Sequence, residues 1–187
     1  MSIQTLDVNF QRVREWAEAR NLIEGATPKD QFAKLIEEIS EFTIGIDNDD
    51  EAEIIDGLGD SVVVLTILAA QTGTDIETCI AMLDDELEIA NHFTGILSKA
   101  QSVDGLIHTL FNSVGELANG ISKKNLTKVQ FGIGSSFRII EAISFRFDTT
   151  IEENFDKAYN VIKDRKGKMI DGAFIKEADL ASYGVAS

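Results

Sequence analysis

Between positions 37 and 60 the chain carries Glu37, Glu38 and Glu41 on one helical segment and Glu53, Asp56 and Asp60 on the next. Residues three, four or seven apart share one face of a 3.6-residue helix, so each segment aligns its acids on one side. A surface helix can carry such a row in water at little cost, and a solvated acidic face is the simplest alternative. Here, however, the second segment continues as Ser61-Val62-Val63-Val64-Leu65-Thr66-Ile67-Leu68-Ala69-Ala70. A run that is apolar almost all round belongs to a helix buried in a bundle. Carboxylates at the mouth of a buried helix repel one another and lose hydration, which raises their pKa values unless a cation neutralises them. An oxygen-only donor set selects a hard cation, Mg²⁺ or Mn²⁺.

The elements that must position these acids are also legible. Residues 5–20 read as a first helix with Val8, Val13 and Trp16 among its apolar positions, and Gly25 suits the turn that follows. Thr27 as N-cap, Pro28 at the first helical position and Asp30 in the first turn start the next helix, which ends near Gly45. Asp47 to Asp50 cap the central helix, expected to run to about Thr72. Thr74-Asp75-Ile76-Glu77 reads as a capping box opening a helix toward Lys99. Residues 169–187 read as an irregular tail.

The chain then repeats. Shifted by 75 positions, LIEEISEFTIGI faces LFNSVGELANGI and DGLGDSVVVL faces FGIGSSFRII, without a gap. Glu41 falls on Glu116, Gly45 on Gly120, Gly57 and Gly59 on Gly132 and Gly134, and the cap Thr74–Glu77 on Thr149–Glu152. Matched glycines and a matched cap point to a structural duplication. The copies differ at the acids: Asn112, Ser113, Lys128, Phe131 and Ser135 stand opposite Glu37, Glu38, Glu53, Asp56 and Asp60. The second copy is therefore read as a scaffold. The expected division is 1–99 for the carboxylate unit and 100–187 for the degenerate repeat with its tail, packed as one globule.

Composition narrows the rest. A single proline and 11 phenylalanines in 187 residues favour an all-α bundle of ample core. One cysteine and two histidines exclude an intrachain disulfide and a Cys/His zinc site. Glu88 and His92 do not have the Glu-x-x-His spacing of a di-iron bundle, and His108 has no partner spacing. A net charge of −15 argues against a nucleic-acid backbone as partner, and leaves a small nucleotide bridged by metal compatible. The N-terminus lacks the apolar run of a signal peptide and no run is long enough to span a bilayer, so a cytoplasmic protein is expected. Near the end, the segment around Asn160, Lys163, Arg165, Lys166 and Lys168 concentrates cations in an acidic chain. Cations also belong at a helix C-terminus for electrostatic reasons alone.

The E-E-x-x-E segment followed by an acidic helix and a Val/Leu run resembles the MazG-like, all-α nucleoside triphosphate pyrophosphohydrolases, a superfamily that includes dimeric dUTPases and phosphoribosyl-ATP pyrophosphohydrolases. The entry segment through Trp16, Arg20, Thr27-Pro28 and Lys34, and the basic Arg-x-Gly end, are similar to phage-type members. The resemblance implies Mg²⁺- or Mn²⁺-dependent cleavage of a nucleoside triphosphate to monophosphate and pyrophosphate. It implies Glu38, Glu41 and Asp60 as metal ligands. Because Gly57 stands where the family has glutamate, either Asp56 or Glu53 supplies the fourth carboxylate, or Glu53 and Asp56 form the E-x-x-D pair in a shifted register. Asp56 with Asp60 is preferred. Glu37 would act on the attacking water. Lys34, Trp16, Asn160, Lys163 and Arg165 are the implied substrate contacts. Family members pair helices from two subunits, so the chain resembles a fused pseudo-dimer, able to form a homodimer of pseudo-dimers. The alternatives are a phosphoribosyl-ATP pyrophosphohydrolase-like or dUTPase-like activity, or a non-catalytic nucleotide-binding or regulatory protein of the same fold.

Overall fold

The computed structural model describes residues 3–85 and 102–184. Within them the chain is a helical bundle: α1 (Ile3–Ala19), the short α2 (Leu22–Gly25), α3 (Pro28–Asp47), α4 (Glu51–Gln71), α5 (Ile76–Asp85), α6 (Val103–Lys123), α7 (Leu126–Arg146) and α8 (Ile151–Ile162). A two-stranded hairpin, β1 (Gly167–Ile170) and β2 (Ala173–Lys176), and a 3₁₀ helix (Glu177–Tyr183) follow. None of the described helices is long and apolar enough to cross a membrane.

Local chemistry sets the boundaries. At α3 the Thr27 side chain accepts from the Asp30 N–H, the Asp30 carboxylate accepts from the Thr27 N–H, and Pro28 occupies the first turn where its missing donor costs nothing. At α4 the Asp50 carboxylate accepts from the N–H groups of Ala52 and Glu53. Asn125 does the same for α7 through Lys128. α3–α4 and α6–α7 are thus two helical hairpins with tight, capped turns.

The core gathers around α4, from Leu58 through Ala69, which is buried against α1, α3, α7 and α8. Such helices approach closely only where side chains are absent. A Cβ on Gly57 would lie 2.9 Å from the Phe42 nitrogen, and one on Gly132 would lie 2.7 Å from the Leu117 nitrogen. Gly59 of α4 meets the Asn154 carbonyl of α8, while Gly134 of α7 meets the Cys79 carbonyl of α5. The helix that follows each hairpin therefore packs on the long helix of the other hairpin. Both pairs of contacts are related by the 75-position offset read in the sequence.

Three boundaries differ from the sequence reading. The α5 cap is Asp75, whose carboxylate accepts from the Thr78 N–H, and the α8 capping box is Thr150 with Glu153, so each cap sits one residue later than expected. Thr149 instead bonds Asn154, its hydroxyl 2.8 Å from the amide oxygen. Residues 167–183 are not an irregular tail. Asp171 (φ 49°) and Gly172 (φ 84°) both take the positive φ of a type I′ turn, which joins Lys168-Met169-Ile170 to Ala173-Phe174-Ile175. The expected extension toward Lys99, with Glu88 and His92, lies outside the described residues.

A glycine pair tests the packing. Gly134→Ala drives a methyl group into backbone and is expected to destabilise by about 1–3 kcal/mol. Gly115→Ala, where nothing lies within 4 Å of the added carbon, is expected to stabilise by about 0.5–1 kcal/mol. Urea unfolding of both variants checks the opposite signs.

Candidate active site

Antiparallel packing of α3 on α4 turns the two acidic faces toward one cleft of about 620 Å³. Glu37, Glu38 and Glu41 line it from α3, Asp56 and Asp60 from α4, with Lys34 beside them. Glu38 is the deepest, at 3% exposure. Its Oε1 accepts from the Lys34 ammonium at 2.7 Å, while its Oε2 is buried without a hydrogen-bond partner. Burial, only partly offset by Lys34 and reinforced by Glu41 and Asp60, pushes the Glu38 carboxyl up to about 7. Burial and then the Asp56 charge push Asp60 up to about 6, against the opposing pull of Arg165 and Lys34. Lys34 also reaches Glu37, at 3.0 Å. Burial would lower the Lys34 ammonium, but its bonds to Glu38 and Glu37 outweigh that and raise it.

As placed, no three such groups among the described residues converge on a single coordinating point; the Lys34 ammonium is the counter-charge between Glu37 and Glu38. The donor set nonetheless fits a hard cation. It is carboxylate oxygen throughout, one buried oxygen has no partner, and two acids are held above their ordinary range by lost hydration. Glu53 is exposed and lies outside the lining, beside Gly45 at the turn. Gly57 is turned into α3, where a side chain would meet Phe42 and the Glu38 carbonyl. A glutamate there would force the hairpin apart.

The other walls come from the two ends of the chain. Trp16 is buried, its indole N–H donating to the Ile162 carbonyl at 2.8 Å, with the Arg20 guanidinium 4.6 Å from its ring centre. Arg20 also donates to the carbonyls of Lys163 and Arg165, fixing the chain as it leaves α8. Arg165 lines the cleft. Lys163 and Asn160 do not: they are exposed and bonded to each other at 2.8 Å, and Asn160 also donates to Asp156. Sequence reasoning missed Gln31 and the hairpin residues Asp171 to Phe174 and Lys176, all of which line the cleft. The available signal was the Asp-Gly pair between short apolar runs.

Opposite this site, at the 75-position offset, the Lys128 ammonium sits 2.7 Å from Glu116. Ser135 donates to the Phe131 carbonyl at 2.6 Å, and Ser113 to Thr109 at 3.4 Å. At these positions a lysine pairs with the single acid, and the two hydroxyls are satisfied by their own helices.

The raised acids predict a pH dependence. Glu38 and Asp60 titrate above their ordinary 4.5 and 3.8, so the folded state holds more protons than the unfolded state between those values and about 7. Without divalent cations, stability is expected to fall as pH rises from about 4 to about 7. Glu38→Gln should flatten that slope and melt no lower than the parent at pH 8. Thermal melts across pH, with and without Mg²⁺, measure this.

Residues 6–86 match the family model described as phosphoribosyl-ATP pyrophosphohydrolase. A 66-residue stretch is 42% identical to an uncharacterised 18.2 kDa protein from the rep–hol intergenic region of Haemophilus phage HP1 (strain HP1c1), covering 35% of this chain and 40% of that protein. The chain thus spans well under half of that relative. No solved structure matches. The part of the chain that supplies Glu37, Glu38, Glu41, Asp56 and Asp60 is therefore the part similar to the phosphoribosyl-ATP pyrophosphohydrolase family.

Proposed function

We propose that the chain is a Mg²⁺- or Mn²⁺-dependent pyrophosphohydrolase that cleaves a nucleoside triphosphate to the monophosphate and pyrophosphate. The observation that carries this reading is the buried, half-satisfied Glu38 beside Asp60 in a cleft built from the family-matched residues. Glu38, Glu41, Asp60 and Asp56 would hold the cation. When bound, it supplies neutralisation of the phosphate oxygens and acidification of a water. Glu37, half exposed at the cleft rim, would orient the attacking water and take its proton. The water oxygen bonds to the α phosphorus as the bond from that phosphorus to the bridging oxygen breaks. Lys34 and Arg165 offset the charge of the departing pyrophosphate. The name of the matched family favours phosphoribosyl-ATP as a second substrate reading, with the same bond cut. A screen of nucleotides for pyrophosphate release separates the two. A non-catalytic binding protein would show affinity and no release.

In the same reading the chain is two tandem copies, 1–99 and 100–187, of which the first keeps the acids and the second keeps the packing. The chain works alone or as a homodimer in the cytoplasm.

Glu38→Gln, Glu41→Gln and Asp60→Asn are each expected to lower pyrophosphate release at least about 100-fold, with the helical circular dichroism retained. Full release by Asp60→Asn would refute the assignment. For the fourth ligand, Asp56→Asn is expected to weaken Mn²⁺ binding at least about tenfold, whereas Glu53→Gln is nearly silent. Mn²⁺ titration by electron paramagnetic resonance gives the ranking, and the reverse order would put Glu53 in the site.

A further inference from the structure

The cleft has two chemically different ends. The carboxylates occupy the middle of the α3–α4 hairpin. Gln31 lies seven residues before Glu38 on α3, and Ile67 lies seven residues after Asp60 on α4. Because the helices run antiparallel, both displacements point the same way, about 10 Å from the acids at 1.5 Å per residue. The lining at that end includes Trp16, Leu22, Ile67, Ile162 and Phe174, with Gln31, Asp30 and Asp171 as polar groups among them. The apolar and aromatic members suit a flat ring, and the two acids would repel a triphosphate.

Phe174 reaches this end because of the hairpin. The Asp171-Gly172 turn places the tip over the start of α3, where a Cβ on Gly172 would lie 3.7 Å from Asp30 Oδ2. The Phe174 ring meets Trp16 edge to face, 6.1 Å between centroids at 63°. Trp16 in turn is held by the Ile162 carbonyl and by Arg20 over its ring. The aromatic corner is thus locked from behind before any ligand arrives. Gln31, at 8% exposure, adds an amide that both donates and accepts.

We infer that the C-terminal hairpin completes a base-recognition subsite in which the nucleobase rests on the Trp16–Phe174 corner and is read by the Gln31 amide. The inference rests on the proposed reaction for the identity of the charged end. A sugar spans the gap between that end and the corner. Flat heteroaromatic rings stack on aromatic side chains whatever their hydrogen-bonding edge, so Phe174 supplies affinity and Gln31 supplies discrimination. The hairpin lies outside residues 6–86, so Phe174 reaches the seat from a segment the family match does not cover, whereas Trp16, Leu22, Gln31 and Ile67 lie within it.

The test is titration of the intact protein, with Mg²⁺, by α,β-imido analogues of the common nucleoside triphosphates and by tripolyphosphate. Trp16 is the only tryptophan, so its fluorescence reports the corner, and calorimetry gives the affinities. One or more analogues are expected to bind tighter than tripolyphosphate and to change the Trp16 emission. Phe174→Leu, which keeps apolar volume but removes the ring, should weaken that analogue about tenfold and leave tripolyphosphate unchanged. Phe174→Tyr, which keeps the ring, should bind within about twofold of the parent. Gln31→Leu should alter the ranking among bases. Unchanged affinity in Phe174→Leu, equal losses for tripolyphosphate, a loss in Phe174→Tyr, or no analogue binding overturns the subsite. Intact analogue binding with no hydrolysis of the parent nucleotides overturns the proposed reaction alone.

Discussion

The close approach of α3 to α4 is the constraint on which the site depends. Gly57 lets the Phe42 backbone come within reach of α4, and that approach buries Glu38 while leaving one of its oxygens without a partner. An ionised carboxylate in such a place is costly unless charge compensates it. Lys34 provides part of that compensation from one turn earlier on the same helix. The arrangement keeps a half-compensated acid buried at the expense of the protein's stability above neutral pH.

That hairpin cannot stand alone. α4 is apolar nearly all round, and the faces that α3 leaves open are covered by α1, α7 and α8. Two of those helices come from the second half of the sequence. The reciprocal contacts of Gly59 with α8 and Gly134 with α5 make the halves interdependent, so the acids sit in the first half while part of their surroundings comes from the second. Arg165, Trp16 and the β hairpin enclose the cleft from the two chain ends, drawn together by the bonds of Trp16 and Arg20 to the carbonyls that follow α8.

The second helical hairpin has similar close packing but different chemistry at the offset positions. Lys128 lies against Glu116, and Ser113 and Ser135 bond to carbonyls of their own helices. Neither buried carboxylates nor an unpartnered acid oxygen occur at the offset positions. The glycines that set the helix spacing are retained, since packing requires them whether or not chemistry takes place.

Much of this was determined by the sequence itself, because the signals are local. Helical periodicity and the unbroken apolar run defined α4 as a buried helix, Thr27-Pro28 and Asp50 set the starts of α3 and α4, and the spacing of Glu37, Glu38, Glu41, Asp56 and Asp60 put each set on one face. The cap positions at Asp75 and Thr150 were off by one residue because Thr-Asp and Thr-Thr pairs offer two adjacent capping side chains, and only packing selects one. The Asp-Gly hairpin was locally encoded too, but a two-stranded ribbon is barely stable by itself and is held by contacts the sequence does not display. Tertiary structure alone decided the rest. It placed Asp56 in the cleft and Glu53 outside it, since both lie on one acidic stripe and only the closeness of α3 separates them. It brought Phe174 to Trp16 across more than 150 positions, and it left Lys163 and Asn160 in solvent while turning Arg165 inward. Long-range juxtapositions of this kind depend on how helices cross, which side-chain spacing along one helix does not specify.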